Sequence, residues 1–137
     1  MKRYINWAII PTALAVVFAT APSAYSDTVQ TPLPSPVVVN GSSGGSQSGS
    51  CGFVANAPSQ VVVVNQPTPL RFRVQGQGQP TLLITGPGGR NQCVMADSFS
   101  NGNIEVPGVW NPGSYSVFVG NRTNGSFPYT LSITQEN

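Results

Sequence analysis

The sequence predicts an all-β domain: a small antiparallel β-sandwich, jelly-roll-like, of about seven to eight strands. Three observations carry this. Charged residues make up 7% of the 137-residue chain, against roughly 25% in an ordinary soluble domain, so long helices laced with ion pairs are excluded. In the second half of the chain apolar residues alternate with polar ones at period two, and no helical period is present. The 15 Gly and 13 Pro fall largely between those runs, the punctuation of short strands.

The first element is an address. Lys2 and Arg3 precede the apolar run Trp7 to Ala21, and the small residues of Ala21-Pro22-Ser23-Ala24-Tyr25-Ser26 follow it. A positive start, a short apolar stretch and an Ala-x-Ser exit make a secretory signal peptide over residues 1–26, cut after Ser26 with Ala24 at −3. The run is shorter than the ~20 residues that span a bilayer and Pro11 interrupts it, so the mature protein is expected not to cross a membrane. Export places it in the periplasm, on the cell surface or in the medium. Beyond residue 26 no Lys remains, and Arg71, Arg73, Arg90 and Arg122 balance Asp27, Asp97, Glu105 and Glu136. A chain of zero net charge with no basic stripe offers no footprint for nucleic acid or for an anionic membrane.

Residues 27–50 are Pro-rich up to Pro36 and Gly/Ser-rich from Gly41. They are expected to form an extended, then flexible, disordered linker. Val37-Val38-Val39 has strand chemistry, but its neighbours argue against a stable strand. The sandwich is expected over residues 51–137. Val61–Val64 and Leu82–Ile84 are continuous apolar runs, the pattern of strands covered on both faces. Leu70, Phe72 and Val74 alternate with Arg71, Arg73 and Gln75, and Tyr129, Leu131 and Ile133 with Thr130, Ser132 and Thr134. Tyr115, Val117 and Val119 form a third inward set, and 91–96 and 103–106 supply two shorter candidates. Turns are expected at Gly76–Pro80, Gly86–Gly89, Asn101-Gly102, Asn111-Pro112-Gly113 and Asn124-Gly125, with Pro112-Gly113 suited to the centre of a type II turn. About 87 residues bury only some 60–65% of their unfolded surface, so the core is thin.

Cys51 opens this domain and Cys93 lies in a candidate strand. In an exported chain two Cys most simply form one disulfide. A reactive or metal-binding pair is the alternative, disfavoured because the chain has no His and no CxxC spacing.

Pro80-Thr81-Leu82-Leu83-Ile84-Thr85-Gly86-Pro87-Gly88-Gly89, then Asn111-Pro112-Gly113-Ser114-Tyr115-Ser116-Val117-Phe118-Val119, then Tyr129-Thr130-Leu131-Ser132-Ile133 together resemble the bacterial pre-peptidase C-terminal (PPC) domain family. The likeness covers residues 60 to 134 or so. It implies a jelly-roll-like sandwich of the kind appended to secreted bacterial proteins, usually proteases. Within that family some members bind collagen or polysaccharide and some bind calcium. Here the module is expected to stand alone behind its signal peptide.

Catalysis is not expected. Without His the usual general base is missing, and a paired-carboxylate glycosidase would need Asp97 and Glu105 on one cleft. Asp97, Asn101 and Glu105 surround a Gly turn and are the candidate calcium ligands. A hard cation wants six to eight oxygens, several of them anionic, and Phe99 stands where a loop ligand belongs, so the plainer reading is a polar hairpin and no cofactor. Trp110 lies in Pro107-Gly108-Val109-Trp110-Asn111-Pro112-Gly113, where an exposed ring stacks on a sugar face and amides hydrogen-bond it. Trp110, Asn111 and Phe99 are the candidate ligand-binding residues, with Phe118 and Phe127 as extensions of the platform; the plainer reading has Trp110 capping one open end of the core. Asn-x-Ser/Thr triplets at Asn40, Asn121 and Asn124 are read as coincidental. The expected function is an exported, non-enzymatic module that binds an extracellular polymer, polysaccharide or protein, or an envelope partner. The alternative is a structural cell-surface or matrix protein that tethers through residues 27–50.

Overall fold

The computed structural model describes residues 28–97, 99 and 101–136, so the signal peptide expected over 1–26 lies outside the described residues. Among the described residues there are eleven strands: β1 (Thr28–Gln30), β2 (Val37–Ser43), β3 (Gln47–Gly49), β4 (Gly52–Val54), β5 (Gln60–Val64), β6 (Thr68–Gly76), β7 (Pro80–Thr85), β8 (Asn91–Met95), β9 (Asn103–Trp110), β10 (Gly113–Asn121) and β11 (Phe127–Gln135). They form two sheets.

The smaller sheet is antiparallel in the order β2–β11–β6–β9. Phe72 is in register with Ile133 on one side and Val106 on the other. Side chains alternate across a strand, so Leu70, Phe72, Val74, Leu131 and Ile133 all point inward and are at most 1% exposed. Arg71, Arg73, Ser132 and Glu105 share the wet face. In the larger sheet β10 is flanked by β5 and β7. β8 extends it beyond β7, and β1 lies parallel to β5 at the other side. Val62, Leu82, Ile84, Val117 and Val119 face the smaller sheet and complete the core. Each such side chain contributes about 1.5–3 kcal/mol when fully buried.

The structure departs from the sequence expectations at several places. Residues 28–49, expected as a linker, supply β1, β2 and β3, which accounts for most of the excess over seven or eight strands. The physical reason is an inward stripe the composition hides: Val37 and Val39 pack on the core while Val38 points out, and β2 pairs with β11 over seven residues. The glycines that read as flexible serve close approach instead. A Cβ on Gly44 would stand 2.1 Å from the Gly125 carbonyl oxygen, and one on Gly45 2.4 Å from that of Val54. The run Val61–Val64 alternates rather than being covered on both faces: Val62 and Val64 are buried, Val61 and Val63 half-buried. Pro112-Gly113 is not a type II turn, because Gly113 has φ 150° where the centre needs about +80°, and it already opens β10 opposite Val64. Asn121 is fully buried, its amide oxygen accepting from Thr123 N and Oγ1, so that triplet is closed to modification.

Cys51 and Cys93 are disulfide-bonded, with Cα atoms 5.7 Å apart. Cys93 stands opposite Leu83, and Leu83 opposite Phe118, on the outer face of the larger sheet. The bridge therefore pins the β3–β4 hairpin across that face. Beneath it the buried Thr81 hydroxyl donates to the Cys51 carbonyl at 2.8 Å, and Gly120 makes room for the backbone, since a Cβ there would meet the Phe53 oxygen at 2.6 Å. Closing a loop with a sequence separation of 42 stabilises by about 4 kcal/mol on the chain-entropy model. The double variant Cys51→Ala/Cys93→Ala is expected to lose about that much unfolding free energy in a urea titration; an unchanged midpoint contradicts it.

Candidate functional site

The inward positions of β9 are Ile104, Val106, Gly108 and Trp110. Gly108 withholds a side chain where the stripe calls for one, and the space stays open: a Cβ there would have its nearest neighbour, Trp110 Nε1, at 3.9 Å. Trp110 ends the strand half-buried. Its ring meets Phe72 edge-on at 5.1 Å and Tyr115 at 5.3 Å between centroids, the tilted packing that aromatic quadrupoles favour. The Tyr115 hydroxyl donates to the Asn111 carbonyl at 2.7 Å, tying the β9–β10 turn to β10. On the other side the β7–β8 turn closes on the same ring, a Cβ at Gly86 being only 2.8 Å from Tyr115 Cε2.

These placements leave a cleft of about 570 Å³ at the open corner between edge strands β8 and β9, walled by Arg90, Asn91, Gln92, Trp110, Asn111 and Tyr115. Arg90, Asn91, Gln92 and Asn111 are exposed. The Trp110 indole N–H is buried with no acceptor among the described residues, a state that costs about 1–3 kcal/mol.

Charge is distributed unevenly around the molecule. Arg71 donates to both oxygens of Glu136, at 3.2 and 3.0 Å, and also pairs with Glu105. Arg73 approaches Glu105 at 3.7 Å. No carboxylate lines the cleft, and Arg90 has no acid partner among the described residues. The hydrogen bond from Arg71 holds the Glu136 carboxyl below its ordinary value of 4.5, against a smaller desolvation effect, and raises the Arg71 guanidinium in turn. A carboxyl with a depressed folded-state pKa stabilises above its unfolded value and loses that contribution as pH falls through the folded one. Between pH 7 and pH 3 the melting temperature of Arg71→Gln is therefore expected to fall less than that of the wild type. Equal falls contradict this pairing.

Of the sequence-expected site residues, Trp110 and Asn111 meet in the cleft, where Trp110 also caps the open end of the core. Phe99 does not join them. It is 91% exposed on the loop before β9, the length of an eight-residue strand, roughly 25 Å, from Trp110. Phe118 lies on the outer face of the larger sheet, and Phe127 stands beside Gly78 and Gly125 at the far end. The calcium candidates each have an observed local role. Asp97 Oδ1 accepts from Phe99 N at 2.9 Å, Asn101 holds a turn with φ 56°, and Glu105 faces two guanidinium groups. Among the described residues no three His, Cys, Asp or Glu side chains come together. Arg90, Asn91, Gln92 and Gly108 are additions from the structure. The stripe Ile104-x-Val106-x-Gly108-x-Trp110 signals Gly108, once β9 is extended past Val106.

No family model matches the chain. Among the described residues no helix is long and apolar enough to cross a membrane. The pre-peptidase C-terminal domain of collagenase from Bacillus anthracis aligns with 82% of this chain and 100% of its own, with a TM-score of 0.55 and 18% identity; the fold is PPC-like. PliG of Aeromonas hydrophila, a periplasmic inhibitor of g-type lysozyme, aligns with 82% of this chain and 98% of its own, with a TM-score of 0.46 and 13% identity. The uncharacterized protein Synpcc7942_2126 of Synechococcus elongatus is 33% identical, over 96% of this chain and 98% of its own. The chain belongs to the family of that Synechococcus protein, and its fold is a PPC-like β-sandwich.

Proposed function

We propose that the chain is an exported, non-enzymatic binding module whose cleft beside Trp110 takes an extracellular polymer, a polysaccharide in first place. The observation that supports this reading is the cleft wall: an aromatic ring locked by Phe72 and Tyr115, with exposed amides at Gln92 and Asn111. Concave sites that hold a ligand combine an apolar surface with a few convergent polar groups. A locked ring stacks at little entropic cost, and the amides supply hydrogen bonds that fix orientation. The disulfide supports export, because such bonds persist in oxidising compartments. The absence of His from the chain and the engagement of Glu105 and Glu136 by arginines support a role without catalysis. Residues 28–49 supply three strands of the sandwich, which supports the binding-module reading over the tethering alternative.

Purified protein from Asp27 onward, incubated with insoluble polysaccharides, peptidoglycan and collagen, is expected to show saturable retention. Trp110 is then the only Trp, and its emission is expected to shift on binding. Trp110→Ala is expected to weaken retention by about tenfold or more, the usual scale of a stacking contact. Retention without an emission shift places the site elsewhere, and no retention on any surface contradicts the reading.

A further inference from the structure

We propose that the polymer held in this cleft is acidic, a carboxylated polysaccharide whose sugar carboxylates are read by Arg90. This rests on the binding-module reading and specifies its ligand. Of the chain's arginines, Arg71 and Arg73 are occupied by Glu105 and Glu136 on the wet face of the smaller sheet. Arg90 is exposed at the mouth of the cleft with no acid partner among the described residues. A guanidinium left unpaired beside a cleft that contains no carboxylate sets a local positive potential. Its planar fork matches a carboxylate with two parallel hydrogen bonds, which an ammonium does not reproduce. Gln92, two residues on from Arg90, faces the same side of the strand, opposite the inward Ile84, and adds an amide beside the guanidinium. Trp110 on the opposing strand offers the stacking surface.

From Asp27 onward, four arginines balance four acids and there is no Lys, so a polyanion is not drawn to the protein as a whole. Selectivity for an acidic polymer must then come from a particular place. Arg122 is the internal control: it is exposed and without an acid partner among the described residues, yet it lies after β10, outside the cleft.

The test is a Trp110 fluorescence titration of the protein with soluble polygalacturonate and with neutral dextran, at low salt and at 0.5 M NaCl. Polygalacturonate is expected to bind at least about tenfold more tightly than dextran, with the difference shrinking as salt screens it. Arg90→Gln is expected to lose about tenfold towards polygalacturonate, the scale of a charged hydrogen bond. Arg90→Lys is expected to recover only part of this loss, and Arg122→Gln none to have lost. Equal binding of both polymers, or equal losses in Arg90→Gln and Arg122→Gln, overturns the inference. Absence of polygalacturonate binding also overturns it, while retention on any of the insoluble surfaces would leave the binding-module reading standing.

Discussion

Deleting residues 28–50 is expected to abolish cooperative folding, not merely to shorten the protein. β2 supplies one edge of the smaller sheet through seven registered pairs with β11, from Phe127↔Ser43 to Ile133↔Val37. Without it the inner flank of Tyr129, Leu131 and Ile133, now 0–7% exposed, opens to water. β1 adds a second loss along β5. Between the two strands Thr31 accepts from Asn65 Nδ2 at 2.7 Å, and Leu33 N donates to Gln135 Oε1, also at 2.7 Å, so the Pro-rich segment is fastened at both sheets. Val29, Leu33, Val37 and Val39 are half-buried against the core. At half of the usual 1.5–3 kcal/mol each, they contribute about 3–6 kcal/mol, before any backbone pairing is counted. Small domains are stable by only about 5–15 kcal/mol in total. A thermal melt of residues 51–137 followed by circular dichroism is expected to lack the sigmoidal transition that residues 27–137 show. A cooperative melt within a few degrees of the longer chain would restore the linker reading.

Phe72→Ala is expected to cost about 3–5 kcal/mol, the range for emptying a buried Phe site. Phe72 is 1% exposed and lies at the centre of the smaller sheet, between Ile133 and Val106. It is also the inner support of Trp110, whose ring leans on it at 5.1 Å. The same substitution should therefore act on the cleft. With one of its two aromatic contacts gone, the indole gains freedom, and Trp110 emission is expected to move to the red in the folded state. Urea unfolding followed by circular dichroism reads the stability loss, and Trp110 emission reads the site. A loss below about 1 kcal/mol would mean that the core does not centre on this ring. A full loss with unmoved emission would mean that Trp110 is held by Tyr115 alone.

How much of this was legible in the sequence depended on whether the pattern was local. Leu70-Phe72-Val74 and Tyr129-Leu131-Ile133 gave their faces away by strict alternation, and both strands lie as expected. The Cys51–Cys93 pairing was legible because two cysteines allow only one bridge. What failed were inferences from composition. Residues 41–50 read as a flexible coil, but Gly44 and Gly45 are there because other backbone passes within 2.4 Å of where a Cβ would sit, a long-range fact no local window contains. Trp110 and Asn111 were legible as candidates because a lone Trp beside turn residues is conspicuous, and both line the cleft. Arg90, Asn91 and Gln92 were not. They line the cleft with Trp110 only because β8 and β9 edge opposite sheets, and that juxtaposition depends on the whole topology. Phe99 was misplaced for the same reason: it is near Trp110 in sequence, but a full strand separates them.

The most direct test of the cleft is to fill it. Gly108→Leu occupies the vacant inward position of β9, where the nearest atom to a new Cβ lies at 3.9 Å, so the fold has room for the side chain and Gly gives a strand little. The variant is expected to melt at or slightly above the wild-type temperature and to lose retention on the bound polymer by about tenfold or more. Wild-type retention in a normally folded Gly108→Leu protein would contradict a ligand site beside Trp110.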